Sequence, residues 1–166
     1  MKQLWAPWRM PYLRGENDKV VGCLFCRKLT EADAVEHILY RGARCAVMLN
    51  RFPYTNGHMM VVPYTHTGTL ETLDDATLLE MMRLVQHCLR ALRQVFNPQG
   101  FNIGVNEGSV AGAGVAEHVH LHIVPRWAGD VNYMTVVGET RVIPQSLEDT
   151  YAAFRPLFDG LLLKDS

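Results

Sequence analysis

Glu117-His118-Val119-His120-Leu121-His122-Ile123-Val124-Pro125-Arg126-Trp127 is the stretch on which the reading of this chain turns. Its three histidines are spaced two residues apart, with Val119, Leu121 and Ile123 in the alternate positions. A strand sends successive side chains to opposite faces. Read as a strand, the stretch puts three imidazoles on one face and three apolar side chains into a core. Read as a helix, it would scatter the imidazoles around the circumference. A polar strand face that happens to use histidine is the plain alternative. It is a poor one, because adjacent imidazoles repel when charged and need partners when buried, and three of only seven histidines are spent here.

The rest of the chain supplies the setting. Its 166 residues suit a single domain over 1–166, and 48% apolar content suits a packed core. A net charge of -1 offers no broad basic surface, so a nucleic-acid partner is not expected. The N-terminal segment Trp5-Ala6-Pro7-Trp8-Arg9 breaks any apolar run, and no stretch is long enough to span a membrane. The expected compartment is the cytoplasm, where four cysteines are better read as metal ligands or buried side chains than as disulfides.

Residues 1–21 read as an irregular arm. A short helical segment follows Cys23-Leu24-Phe25-Cys26, and Ile38–Tyr40 and Cys45–Leu49 read as a hairpin turned at 41–44. A turn-rich loop from Asn50 to Gly57 leads into a strand, His58–Pro63. Thr72 or Asp74 can cap a long helix with Leu78, Met81, Met82, Val85, Leu89, Leu92 and Phe96 as its apolar stripe, ended by Pro98 and Gly100. Phe101–Val105 reads as a strand, 106–115 as a small-residue loop, Met134–Val137 as strand-like, and Gln145–Phe158 as a helix interrupted by Pro156. Hairpin-linked strands with one long helix predict an α+β fold, with an antiparallel sheet of about five strands, one long helix and a C-terminal helix.

Gly108, Gly112 and Gly114 let backbone N–H groups approach an anion, and beside exposed imidazoles such a loop suits a phosphate-containing ligand. The loop lacks the Lys and Ser/Thr of a Walker sequence. An imidazole can attack phosphorus and carry the transferred group covalently. The middle residue, His120, is the natural nucleophile, flanked by groups that fix its tautomer. A three-histidine zinc site is the opposing reading, though same-face neighbours on one strand rarely surround one tetrahedral ion. One of them can instead join ligands from elsewhere. Cys23, Cys26, His66 and His118 together would make a closed Cys₂His₂ structural zinc site. The C-x-x-C pair has rivals in a redox dithiol and in simple packing. Cys45 and Cys88 read as buried small hydrophobes. His37 and His87 read as surface or satisfied structural residues, and His58 as structural or site-lining.

The pattern His118-x-His120-x-His122-x-x resembles the signature of the histidine triad (HIT) superfamily of nucleotide hydrolases and transferases. Cys23–Cys26, Leu49-Asn50-Arg51, 56–63, His66, the long helix and 102–106 also fall where that superfamily has counterparts. The Pro125-Arg126-Trp127 extension and the Leu4-Trp5-Ala6-Pro7-Trp8-Arg9 arm look most like bacterial diadenosine tetraphosphate phosphorylases and their hydrolase-like relatives. The resemblance implies a nucleotidyl-histidine intermediate on His120, with His122 at the phosphate and His118 a zinc ligand. It implies that Asn50 holds the ribose hydroxyls, that Asn106 lies near the phosphates and that the sheet extends across a homodimer. Candidate substrate-binding residues are Asn50, Gly112, Ala113, Gly114, His122 and Trp127; candidate catalytic residues are His120, His122 and Asn106. Many members carry a polar pair before the triad. Here Ala113 and Gly114 stand there, so backbone N–H groups are expected to replace the side chains.

The implied activity is cleavage of an adenine dinucleoside polyphosphate by phosphate or water, with zinc as structural metal and no organic cofactor. A phosphoramidate hydrolase of the same superfamily is the nearest alternative. A nucleotide-binding module without turnover, or a redox protein using Cys23 and Cys26, are alternatives of other classes.

Overall fold

The computed structural model describes residues 22–130 and 143–161. The expected arm at 1–21 and the expected strand at 134–137 lie outside them. Two short helices, α1 (Leu24–Lys28) and α2 (Asp33–Glu36), precede strands β1 (Ile38–Arg41), β2 (Cys45–Leu49) and β3 (Met59–Pro63). Helix α3 (Asp75–Phe96), strands β4 (Gly100–Val105) and β5 (Leu121–Arg126), and helix α4 (Leu147–Phe158) follow. The five strands form one antiparallel sheet in the order β1-β2-β3-β5-β4. This is the predicted α+β architecture.

Alternation along the central strands gives the sheet two different faces. Val47 and Leu49 on β2, Met59 and Val61 on β3, and Leu121 and Ile123 on β5 join Val119 in one core with α3 and α4. Ala46, Met48, Met60 and Val62 point the other way and pack with Phe25 of α1 and with Val115. The register pairs Met60 with His122 and Val61 with Leu121, so the histidines fall on the α1 side while their apolar neighbours fill the larger core.

Helix α3 is capped by Asp74, whose carboxylate accepts from the Thr77 N–H at 2.7 Å. Its buried line runs through Met81, Leu84, Val85, Cys88, Ala91 and Leu92. Leu78, Leu89 and Phe96 flank that line, and Met82 faces solvent with Leu79. The expected stripe is therefore rotated towards Leu84 and Cys88, because the helix seats its narrow Cys88 and Ala91 side on the sheet. Helix α4 does not break at Pro156 but runs two residues beyond it, burying Phe154 and Phe158. The missing N–H falls in the last turn, where little of the helix remains to be disrupted. Arg155 Nη1 donates to the Leu39 carbonyl at 2.8 Å and fastens α4 to β1.

Candidate active site and metal centre

The expected strand is shorter than the histidine stretch: it is paired only from Leu121, with Glu117 in a turn and His118 at a bend before it. Upstream, the Val119 N–H donates to the Thr67 carbonyl at 2.6 Å, joining the stretch to the loop that carries His66. The approach is close because residue 68 is glycine; a Cβ there would lie 2.6 Å from the Ala116 carbonyl oxygen.

Backbone partners give two of the three triad imidazoles opposite orientations. The carbonyl of Pro63, at the end of β3, lies 2.8 Å from His118 Nε2. A carbonyl only accepts, so Nε2 carries the proton and Nδ1 presents a lone pair. That Nδ1 is 3.3 Å from Cys23 Sγ and 3.6 Å from Cys26 Sγ, while His66 Nδ1 is 3.4 Å from Cys26 Sγ. The four ligand atoms of Cys23, Cys26, His66 and His118 all lie within 4.8 Å of one another. Tetrahedral zinc with ordinary bond lengths would separate sulfur and nitrogen ligands by about 3.6 Å. The residues therefore fit zinc in atom type, number and spacing, and a ligating histidine whose second nitrogen donates to a carbonyl is how such ligands are held in orientation.

His120 is turned the other way round. Its Nδ1 lies 2.8 Å from the His118 carbonyl and so carries the proton, which leaves the lone pair on Nε2. The ring is 4% exposed and sits 4.7 Å, centroid to centroid, from both Phe25 and His122. Burial lowers the pKa of His118 and His120 below the usual imidazole value, so both are neutral at pH 7. A neutral imidazole with a bare Nε2 beside a second histidine can act as a nucleophile.

His122 lines a cavity of about 390 Å³ with Tyr54, Asn102, Asn106, Arg126 and Asp130. Arg126 donates to both Asp130 oxygens, at 2.5 and 2.9 Å, and to Asn102 Oδ1 at 2.8 Å. On its other side His122 meets His58, with Nδ1 3.0 Å from His58 Nε2. The cavity thus brings the His122 end of β5 together with polar amides and a fixed guanidinium, while His120 is not among its lining residues.

The model for the HIT domain matches residues 31–129. The chain belongs to the HIT family. An AP-4-A phosphorylase of Mycobacterium tuberculosis is 40% identical over 157 residues, which cover 90% of this chain and 80% of that protein. The adenylylsulfatase HINT3 of Arabidopsis thaliana is 32% identical over 104 residues, covering 63% and 52%. A Zn-bound histidine triad family protein from Mycobacterium smegmatis superposes with a TM-score of 0.66 at 30% identity, covering 83% of this chain and 94% of that one.

The predicted metal residues converge, with Cys23 and Cys26 standing before the matched residues 31–129 and His66 and His118 within them, and Asn106 and His122 share the cavity. Asn50, Gly112, Ala113, Gly114 and Trp127 are not among its lining residues. Asn50 Oδ1 accepts from the Phe52 N–H at 3.0 Å, and its Nδ2 is 3.3 Å from His58 Nδ1. The N–H groups of Gly112 and Ala113 donate to the carbonyls of Ser109 and Gly108, closing the loop on itself. Trp127 follows β5, and its N–H donates to Asp130. Cys45 and Cys88 are buried, as read from the sequence. His87 Nε2 donates to the Leu157 carbonyl at 3.0 Å, and His37 faces Glu148 and Tyr151. Sequence reasoning missed Tyr54, Asn102 and the Arg126–Asp130 pair. Opposite charges four residues apart across Gly129 were the available signal for that pair.

Proposed function

We propose that this HIT protein cleaves dinucleoside polyphosphates of the diadenosine tetraphosphate class through a nucleotidyl intermediate on His120. The observation that carries the reading is the His120 Nδ1–H bond to the His118 carbonyl, which leaves Nε2 as the lone-pair nitrogen. The 40% identity to an AP-4-A phosphorylase supports the substrate class.

In the proposed reaction Nε2 attacks the α-phosphorus. A P–N bond forms, the P–O bond to the distal phosphates breaks, and ATP departs with that electron pair. Phosphate or water then attacks the same phosphorus, the P–N bond breaks, and ADP or AMP is released. His122 and Asn106 serve as donors around the phosphoryl oxygens, where preorganised hydrogen bonds contribute to the rate without reorganisation. Zinc held by Cys23, Cys26, His66 and His118 ties α1 and the 64–69 loop to the start of the triad, a structural role outside the chemical step. Edge strand β4, with Ile103 45% exposed, is the sheet edge a homodimer would extend.

Purified protein incubated with diadenosine tetraphosphate tests this by product chromatography. ADP and ATP that appear only with added phosphate mean phosphorolysis. AMP and ATP without it mean hydrolysis. Absence of turnover under both conditions overturns the proposal.

A further inference from the structure

We infer that the face of β4 and β5 beyond His122 is the subsite for the departing half of the substrate, and that the Arg126–Asp130 pair there seats a second nucleoside rather than a terminal phosphate. The inference rests on the reading above that His120 attacks the α-phosphorus of a dinucleoside polyphosphate. In the sheet order β1-β2-β3-β5-β4, Asn50 follows β2 on one side of the triad strand, and β4 lies on the other. Asn50, the expected ribose contact, does not line the cavity. The cavity lies across the triad from it, where the half of the substrate that Asn50 does not hold must go.

Strand geometry opens this face. His122, Val124 and Arg126 alternate onto one side of β5, and the register sets Gly104 opposite His122 and Asn102 opposite Val124. A Cβ placed at Gly104 would have nothing within 4 Å. A glycine inside a strand weakens it, and it often marks a place where a ligand comes close to the backbone. The resulting trough of about 390 Å³ is in the size range of small-molecule sites.

Charge decides what the far end takes. Among the described residues lining the cavity, Arg126 and Asp130 are the only Arg, Lys, Asp or Glu side chains. The guanidinium donates to both Asp130 oxygens and to Asn102 Oδ1, so its plane is fixed and its charge is balanced. A terminal phosphate is held by cations in excess, and here the carboxylate cancels the one cation. A fixed guanidinium plane is instead a surface on which a nucleobase stacks. The Arg126 side chain is 43% exposed and that of Asp130 13%, so the ligand meets the plane rather than the carboxylate. Asn102, with Oδ1 turned to Arg126, has Nδ2 to donate to a base or sugar.

Two compounds that share the attacked phosphorus test this: diadenosine tetraphosphate, and adenosine 5′-tetraphosphate, which lacks the second nucleoside. The unaltered protein should show a kcat/KM about tenfold or more higher for the first, the size of one contact with a charged group. Asp130→Asn keeps the side chain's size but leaves Arg126 unbalanced. It should shift the preference about tenfold towards adenosine tetraphosphate, with kcat/KM for that compound rising. A structural role alone would lower both, and equal loss on the two compounds overturns the inference. So does an equal kcat/KM for the two in the unaltered protein, or a ratio that Asp130→Asn does not move. Arg126→Gln, which removes the plane, should abolish the preference and serves if Asp130→Asn does not fold. Should neither compound turn over, the proposed reaction fails and calorimetric titration with the same two compounds decides the subsite. Tighter binding of diadenosine tetraphosphate that is lost in Asp130→Asn upholds it; equal binding of the two, or none, overturns it.

Discussion

Replacing Gly68 by alanine places one methyl group where two functional segments touch. The added Cβ would sit 2.6 Å from the Ala116 carbonyl oxygen and 3.5 Å from Glu117 Cα. Carbon and carbonyl oxygen come no closer than about 3.3 Å in ordinary contacts, so the segments must part by roughly 0.7 Å. The obstacle is backbone, which no rotamer change can relieve. The Val119 N–H bond to the Thr67 carbonyl, at 2.6 Å, joins the same two segments and would stretch to the limit of a useful bond. Overpacking and the loss of most of that bond together cost about 2–4 kcal/mol. Urea unfolding of the zinc-loaded protein, with slopes typical of small domains, should then show a midpoint lower by about 1–2 M. Zinc retention should fall as well, because His66 and His118 stand on the two segments being separated. A midpoint within about 0.2 M of the unaltered protein, with zinc retained, would refute the claim that this contact sets the ligand geometry.

Other consequences follow from the same structure. Cys26→Ser should lose zinc on gel filtration, while the unaltered protein retains it; equal zinc by elemental analysis in both would contradict the four-residue site. Leu84→Ala empties a fully buried position between α3 and the sheet and should cost about 2–5 kcal/mol in denaturant unfolding, with turnover at low temperature preserved. Burial pushes the Cys45 thiol from 9.0 up to about 12. Above pH 9 the unfolded chain releases this proton while the folded chain keeps it, so the contribution to stability is whole below pH 9 and declines as pH rises towards 12. Cys45→Ala should flatten that alkaline decline in unfolding curves taken at several pH values.

Much of this was legible in the sequence because the deciding signals are local and periodic. Spacing of two residues assigned the three histidines to one face and Val119, Leu121 and Ile123 to the other. Ligand type alone gathered Cys23, Cys26, His66 and His118, since a C-x-x-C pair needs two more donors to close a site. What stayed hidden depends on register and rotation. His58 meets His122 because β3 pairs with β5 so that Met60 stands opposite His122, and nothing within either segment encodes that pairing. The rotation of α3 towards Cys88 follows from the surface it packs on. The contacts of Asn50, a ribose contact by resemblance, with the Phe52 N–H and His58 Nδ1 are set by the tightness of the 50–58 loop and could not be read from its sequence. The glycine-rich loop looked like an anion nest, but the N–H groups of Gly112 and Ala113 turn inward.

The central claim is that His120 carries the nucleotidyl group. The most direct measurement is to quench the reaction with diadenosine tetraphosphate within its first turnover, digest the protein at a pH that preserves P–N bonds, and locate the added adenylyl mass by mass spectrometry. The account predicts that mass on the peptide containing His120, at the His120 ring, and none in His120→Ala. Turnover with the modification on another residue, or undiminished turnover in His120→Ala, would contradict it.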